Sequence, residues 1–189
     1  MGASDNHKML CDLGAVFCRT VWQCWPVAIE PQGLTARNYD VLAIQSSPRS
    51  IIGLEIKVSR EDFIAGIKKG HFDKSNYISE LWLVYPGNFK IQELPDYVGI
   101  LKVNKIPRCK YHFDLKTVCD PNCNNKKSIF LSVVREAKYM HDDNLRHQLF
   151  NQYTPKWLWK IATSNSTKVI HQIEYNLLGE IEINETENS

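Results

Sequence analysis

Two apolar runs, parted by a proline turn and followed at once by a helix start, constrain this chain more than any other feature in it. They lie in "RNYDVLAIQSSPRSIIGLEIKVSREDF", Arg37 to Phe63. Tyr39 to Ile44 and Ile51 to Val58 are rich in branched and aromatic residues and flank "QSSPRS", so they read as strands that pair directly or lie side by side across a loop of ordinary length. Ser59 then stands where a helix N-cap belongs, with Asp62 three residues on and Phe63, Ile64 and Ile67 at helical spacing; Gly70 is the stop. Leu81 to Pro86 and Tyr97 to Val103 read as two further strands. Strand, strand, helix, strand, strand implies an α/β sheet core over about 9–103.

The flanks are less regular. Apolar residues recur at helical spacing from Met9 to Trp25, which predicts an amphipathic first helix carrying Cys11 and Cys18 on one side as small buried thiols. Pro26 and Pro31 punctuate the segment between that helix and the first strand. Residues 104–127 form an irregular basic insertion. "IFLSVVREAKYM" suits a last strand or the entry to a helix, and the segment 128–163 is expected to be mainly helical, with Thr154 capping a separate helix that has Pro155 at its first position. The acidic tail 179–189 is expected to fray.

Size and composition set the outer limits. The 189 residues suit a single domain, and 43% hydrophobic with 23% charged residues is enough for an ordinary core. There is no run of 18 apolar residues, so a membrane span and a membrane partner are not expected. The N-terminus lacks a basic region followed by an apolar stretch, so the expectation is a cytoplasmic protein whose six cysteines are reduced thiols or metal ligands. A net charge of +2 removes any bulk electrostatic case for nucleic acid and leaves only local patches.

The second strand carries the chemistry. Side chains alternate along a strand, so Ile52, Leu54, Ile56 and Val58 share one face and Ile51, Gly53, Glu55 and Lys57 the other. Glu55 and Lys57 are then roughly 7 Å apart on one side. A carboxylate and an ammonium in the middle of a sheet are costly unless paired or liganded. If the strands pair, Asp40 at the head of the first converges with Glu55. Two carboxylates with room for waters suit Mg²⁺ (or Mn²⁺), and Lys57 beside them can orient or deprotonate a metal-bound water or stabilise charge on a phosphate. That set is a constellation for metal-assisted hydrolysis of a phosphodiester.

Asp40, followed by Glu55-Ile56-Lys57 on the next strand and then a helix, resembles the PD-(D/E)xK, or restriction-endonuclease-like, nuclease superfamily. Tyr39 stands where that motif has its proline. The wider stretch from Arg37 to Val103 is similar to the branch that includes MmcB-like DNA-repair-associated proteins. The resemblance implies a mixed sheet flanked by helices, Mg²⁺ held by Asp40 and Glu55, Lys57 at the reacting centre, and DNA as partner.

Around this centre, Arg37, Lys68, Lys69 and Lys74 are candidates for phosphate contacts, with His71 in the same basic cluster. Glu30 and Asp12 read as surface acids before they read as extra ligands. Cys109, His112, Cys119 and Cys123 form C-x2-H-x6-C-x3-C, either a structural zinc site or scattered thiols with a histidine. Trp157 and Trp159, with Lys156 and Lys160, offer base-stacking and phosphate contacts or a buried anchor. A metal-dependent DNA endonuclease or repair-type nuclease, alone or as a homodimer, is therefore expected. The alternatives are a non-cleaving nuclease-fold module that binds DNA or protein and a small zinc-stapled interaction protein.

Overall fold

The computed structural model describes residues 5–31, 38–103 and 131–162, the last segment with side chains up to residue 154. The insertion 104–127, Arg37, the four-residue Cys/His set and the acidic tail lie outside the described residues, as do the side chains of Lys156, Trp157, Trp159 and Lys160.

The elements in chain order are α1 (Asp5–Thr20), β1 (Val27–Ile29), β2 (Val41–Gln45), β3 (Ser50–Ile56), α2 (Arg60–Lys68), β4 (Glu80–Tyr85), β5 (Gly99–Val103), β6 (Leu131–Arg135) and α3 (Asp143–Ala162). The six strands form one mixed sheet in sequential order. β1, β2 and β3 run antiparallel, β3, β4 and β5 run parallel, and β6 returns antiparallel on β5 with an irregularity between Ile100 and Leu101. The change of direction follows from connection length. The short turn after Gln45 permits only a hairpin, whereas α2 gives the chain the crossover that a parallel neighbour needs.

Alternation along each strand divides the core into two layers. Ile52, Leu54 and Ile56 join Val84, Leu101 and the Leu10, Leu13 and Phe17 face of α1. Ile51, Leu42, Ile44, Leu81 and Leu83 pack with Phe63 of α2, Phe72 and Met140, and Phe150 and Tyr153 of α3 lie against the same layer. Every residue of β3 is buried, so this strand is the centre of the molecule and holds its polar side chains at the greatest solvation cost.

The structure moves several expected boundaries. α1 begins at Asp5 rather than Met9 and ends at Thr20, which brings His7 onto the helix. Val27–Ile29 is a strand because its backbone groups pair with Val41–Ala43, although three residues between prolines carry little signal of their own. For "IFLSVVREAKYM" the structure takes the strand alternative, and the helix of the 128–163 segment begins only at Asp143. Leu131–Arg135 is the last strand, with Leu131 inward and Val133 and Val134 exposed, because β5 would otherwise present an open edge. Thr154 caps nothing: it lies inside one continuous helix, its hydroxyl buried without a hydrogen-bond partner among the described residues. The amide at the start of that helix is capped by Asp142, which accepts from Leu145 N–H at 2.9 Å. Packing of Phe150 and Tyr153 on the sheet carries the helix across the local stop signal.

Candidate functional site

The C-terminal end of β3 gathers most of the charged side chains that the sequence singles out. Glu55 faces the α2 layer, its side chain only 3% exposed. Lys57 lies one residue beyond the strand, but its amide donates to Val84 O at 3.0 Å, so the pleat continues and its side chain follows Glu55. Lys57 Nζ is 3.4 Å from Glu55 Oε2 and 3.8 Å from Asp62 Oδ1. The lysine stem needs room to lie there, and Gly66 supplies it. A Cβ at position 66 would fall 2.7 Å from Lys57 Cε.

α2 is placed by its own first turn. Ser59 accepts from Asp62 N–H at 3.2 Å, as the expected cap requires, while the Asp62 carboxylate reaches one residue past the cap and accepts from Val58 N–H at 3.2 Å. The chain leaves the helix through Gly70, whose φ of +70° is a conformation suited to glycine, and His71 N–H donates back to Gly66 O at 2.9 Å. That exit turns His71 inward. Its Nδ1 is 3.1 Å from Glu55 Oε2 and 3.3 Å from Lys57 Nζ. Lys57 Nζ and His71 Nδ1 therefore converge on one oxygen of Glu55. The other oxygen, Oε1, is buried and has no hydrogen-bond partner among the described residues.

Asp40 stands just before β2, at the same end of the β2–β3 ladder, where Val41 pairs with Leu54. Its amide donates to Leu54 O at 3.1 Å, and its Oδ2 accepts from Ile56 N–H at 2.6 Å, so it brackets Glu55 along the backbone. Its Oδ1 is 3.3 Å from His7 Nε2 on α1. Asp40 is thus reached from the α1 side, and Glu55 from the α2 side by Lys57 and His71. The two groups share one polar end of the sheet: the charge of Asp62 is felt at His7, and that of Glu55 at Cys11.

The electrostatics follow from these contacts. The hydrogen bond that His7 donates to Asp40 raises the pKa of His7, burial opposes it, and the charges of Asp40, Glu30 and Asp62 add to the rise. Burial pushes the Cys11 thiol up, with Asp40 and Glu30 reinforcing it. Cys11 and Cys18 are buried on α1, as expected of small core thiols.

Lys68, Lys69 and Lys74 are exposed; Lys74 Nζ lies 5.5 Å above the Tyr97 ring. A surface cleft lined by Arg60, Phe63, Ile67, Lys68 and Lys90 runs along α2 and includes none of the Asp40, Glu55 or His71 side chains. The sequence grouped His71 with the lysines, whereas the structure joins it to Glu55. The signal available for this was the glycine at the helix exit. His7 was missed as a neighbour of Asp40, and Glu30, read first as a surface acid, also lies beside it. His7 fell outside the expected helix, and Glu30 is placed by the β1–β2 pairing that the sequence did not reveal, its amide donating to Asp40 O at 2.8 Å.

No family model matches the chain, and no curated protein does. Among solved structures, a protein of unknown function from Silicibacter pomeroyi aligns over 77% of this chain and 86% of its own, with 16% identity and a TM-score of 0.45. The class defined by the fold itself is a mixed α/β sheet covered by helices on both faces. Among the described residues, no helix is long and apolar enough to cross a membrane.

Proposed function

We propose that the protein is a metal-dependent phosphodiesterase of the restriction-endonuclease-like fold that cleaves DNA. The observation that carries this reading is the state of Glu55. A deeply buried carboxylate has one oxygen held by Lys57 and His71 and the other without a hydrogen-bond partner among the described residues. Leaving a buried acceptor unpaired costs about 1–3 kcal/mol or more when it is charged, so an oxygen kept in this state is suited to a cation. The donors are hard oxygens of the kind Mg²⁺ or Mn²⁺ takes: Glu55 Oε1 is buried without a hydrogen-bond partner among the described residues, and the Asp40 oxygens retain lone pairs beyond those directed at Ile56 N–H and His7.

Asp40 and Glu55 are the residues that would hold the ion, which would supply Lewis acidity and an acidified water. This chain's own groups do the rest. Lys57, its ammonium fixed between Glu55 and Asp62, orients the attacking water or neutralises charge developing on the phosphate. His71 keeps Glu55 in place through Nδ1. Lys68 and Lys69, exposed at the end of α2, contact backbone phosphates without reading sequence. The mixed sheet with helices on both faces, and the placement of Asp40, Glu55 and Lys57 at one strand end, support the nuclease reading.

The test is cleavage of labelled duplex and single-stranded DNA by the wild type, Asp40→Ala and Lys57→Ala, with Mg²⁺, Mn²⁺ or EDTA. Wild-type cleavage that needs a divalent ion and is lost in both variants is the expected result. Binding without cleavage under every metal condition would replace this reading with a non-cleaving DNA-binding module.

A further inference from the structure

On the other side of Asp40, His7, Cys11 and Glu30 bring a nitrogen, a sulfur and an oxygen within 4.8 Å of one another. From this geometry we infer a second metal site, built by these three residues for a borderline divalent ion of the Zn²⁺ class and leaving one coordination position for water or an exogenous ligand. The three ligands are distinct from those of the nuclease reading, and the two sites share only Asp40, which here touches His7 from outside the metal position.

His7 and Cys11 are four residues apart on α1 and so lie on one face of the helix. His7 Nδ1 and Cys11 Sγ are 3.6 Å apart. Zinc bonds of about 2.0–2.1 Å to nitrogen and about 2.3 Å to sulfur, at a tetrahedral angle, place the two donors about 3.6 Å apart. The same separation also serves a thiol–imidazole hydrogen bond, so the distance alone does not decide. The orientation of the ring does more. Asp40 Oδ1 is 3.3 Å from His7 Nε2, the carboxylate–histidine–metal arrangement in which the outer carboxylate accepts a hydrogen bond from Nε2–H and so leaves the Nδ1 lone pair for the ion. Glu30 closes the set: β1 pairs with β2 up to Ile29 and Val41, and the Glu30 amide donates to Asp40 O, which brings its side chain beside the helix. Cys11 is buried while Glu30 is exposed, so the ion enters from the Glu30 side. On binding, the Cys11 thiol releases its proton to solvent and sulfur coordinates as thiolate; no electron changes hands.

The test uses the full chain, stripped with EDTA, dialysed and titrated with Co²⁺ and then Zn²⁺ in the absence of DNA and Mg²⁺. Wild type should show a thiolate-to-cobalt charge-transfer band with tetrahedral d–d absorption, displaced by Zn²⁺. Cys11→Ser should lose one equivalent of metal and the corresponding part of the band, whatever the cysteines of the 104–127 segment contribute to both proteins. Glu30→Gln, at an exposed position, and His7→Gln should weaken Co²⁺ binding by at least the roughly 10–100-fold known for outer partners, and Asp40→Asn by an amount within that range. Thermal melts in EDTA establish that each variant is folded. If Cys11→Ser does not fold, Glu30→Gln and His7→Gln give the same reading. Unchanged metal equivalents and band intensity in the folded variants, or no Co²⁺ uptake by wild type, would overturn the site.

Discussion

Two glutamates sit on the same pair of parallel strands, at opposite ends and on opposite faces, and the protein treats them differently. Glu80 opens β4 in register with Ile52. Its Oε1 accepts from Ser50 Oγ at 2.6 Å and its Oε2 from Trp82 Nε1 at 3.2 Å, so neutral donors from the two strands satisfy both oxygens. Burial still raises its pKa, and those two hydrogen bonds oppose the rise. Glu55, next to the end of β3, has Lys57 and His71 on one oxygen and no hydrogen-bond partner, among the described residues, on the other. The first arrangement ties strands together and leaves nothing to be bound. The second offsets burial with a cation and keeps an acceptor vacant, a feature of sites rather than of scaffolding.

The largest expected effect separates the two ends by activity. Glu55→Gln should reduce DNA cleavage by at least about 100-fold, the scale of losing a group at the reacting centre, while Glu80→Gln should leave it within a few-fold. Equal loss in both, measured on a labelled duplex with Mg²⁺, would erase the distinction.

Stability should divide the same way. Lys57→Met removes the cation beside a buried carboxylate and is expected to cost about 3–5 kcal/mol in urea unfolding, with much of this recovered in Lys57→Met/Glu55→Gln. A single-variant loss below about 1 kcal/mol would show that Glu55 is paired elsewhere or protonated.

A smaller effect tests the space that Gly66 leaves. Alanine in a helix interior is ordinarily favoured over glycine by about 1 kcal/mol. Here the new methyl meets Lys57 Cε, and Lys57 is confined by Glu55, Asp62 and His71. Gly66→Ala should therefore lose about 1–3 kcal/mol by overpacking, and cleavage with it. A gain in stability would mean that Lys57 relaxes freely.

The smallest effect is a slope with pH at the Glu80 end. The folded protein holds the Glu80 proton more tightly than the unfolded chain does. The stability this contributes is full below the ordinary glutamate value of 4.5 and is lost as pH rises through the raised folded value. Glu80→Gln should remove that slope. Parallel stability profiles for the two proteins above pH 4.5 would refute the assignment.

The features legible in the sequence alone are mostly local or periodic. The alternation of β3, the Ser59–Asp62 cap and the apolar β4 run each encode their structure within a few residues, and each appears close to where it was expected. β3 parity alone was enough to place Glu55 and Lys57 on one side. The features that only the tertiary structure decided depend on pairing across distance. β1 exists because β2 offers it hydrogen bonds, β6 because β5 has an open edge, and α3 runs through Thr154 because its aromatic residues pack on the sheet. The partners of the two acidic groups belong to the same class. His71 reaches Glu55 across 16 residues of chain, and His7 reaches Asp40 from another helix. Spacing along a chain cannot encode these meetings, because they are set by how helices dock on the two faces of the sheet, and docking is driven by buried apolar area that carries no direction of its own.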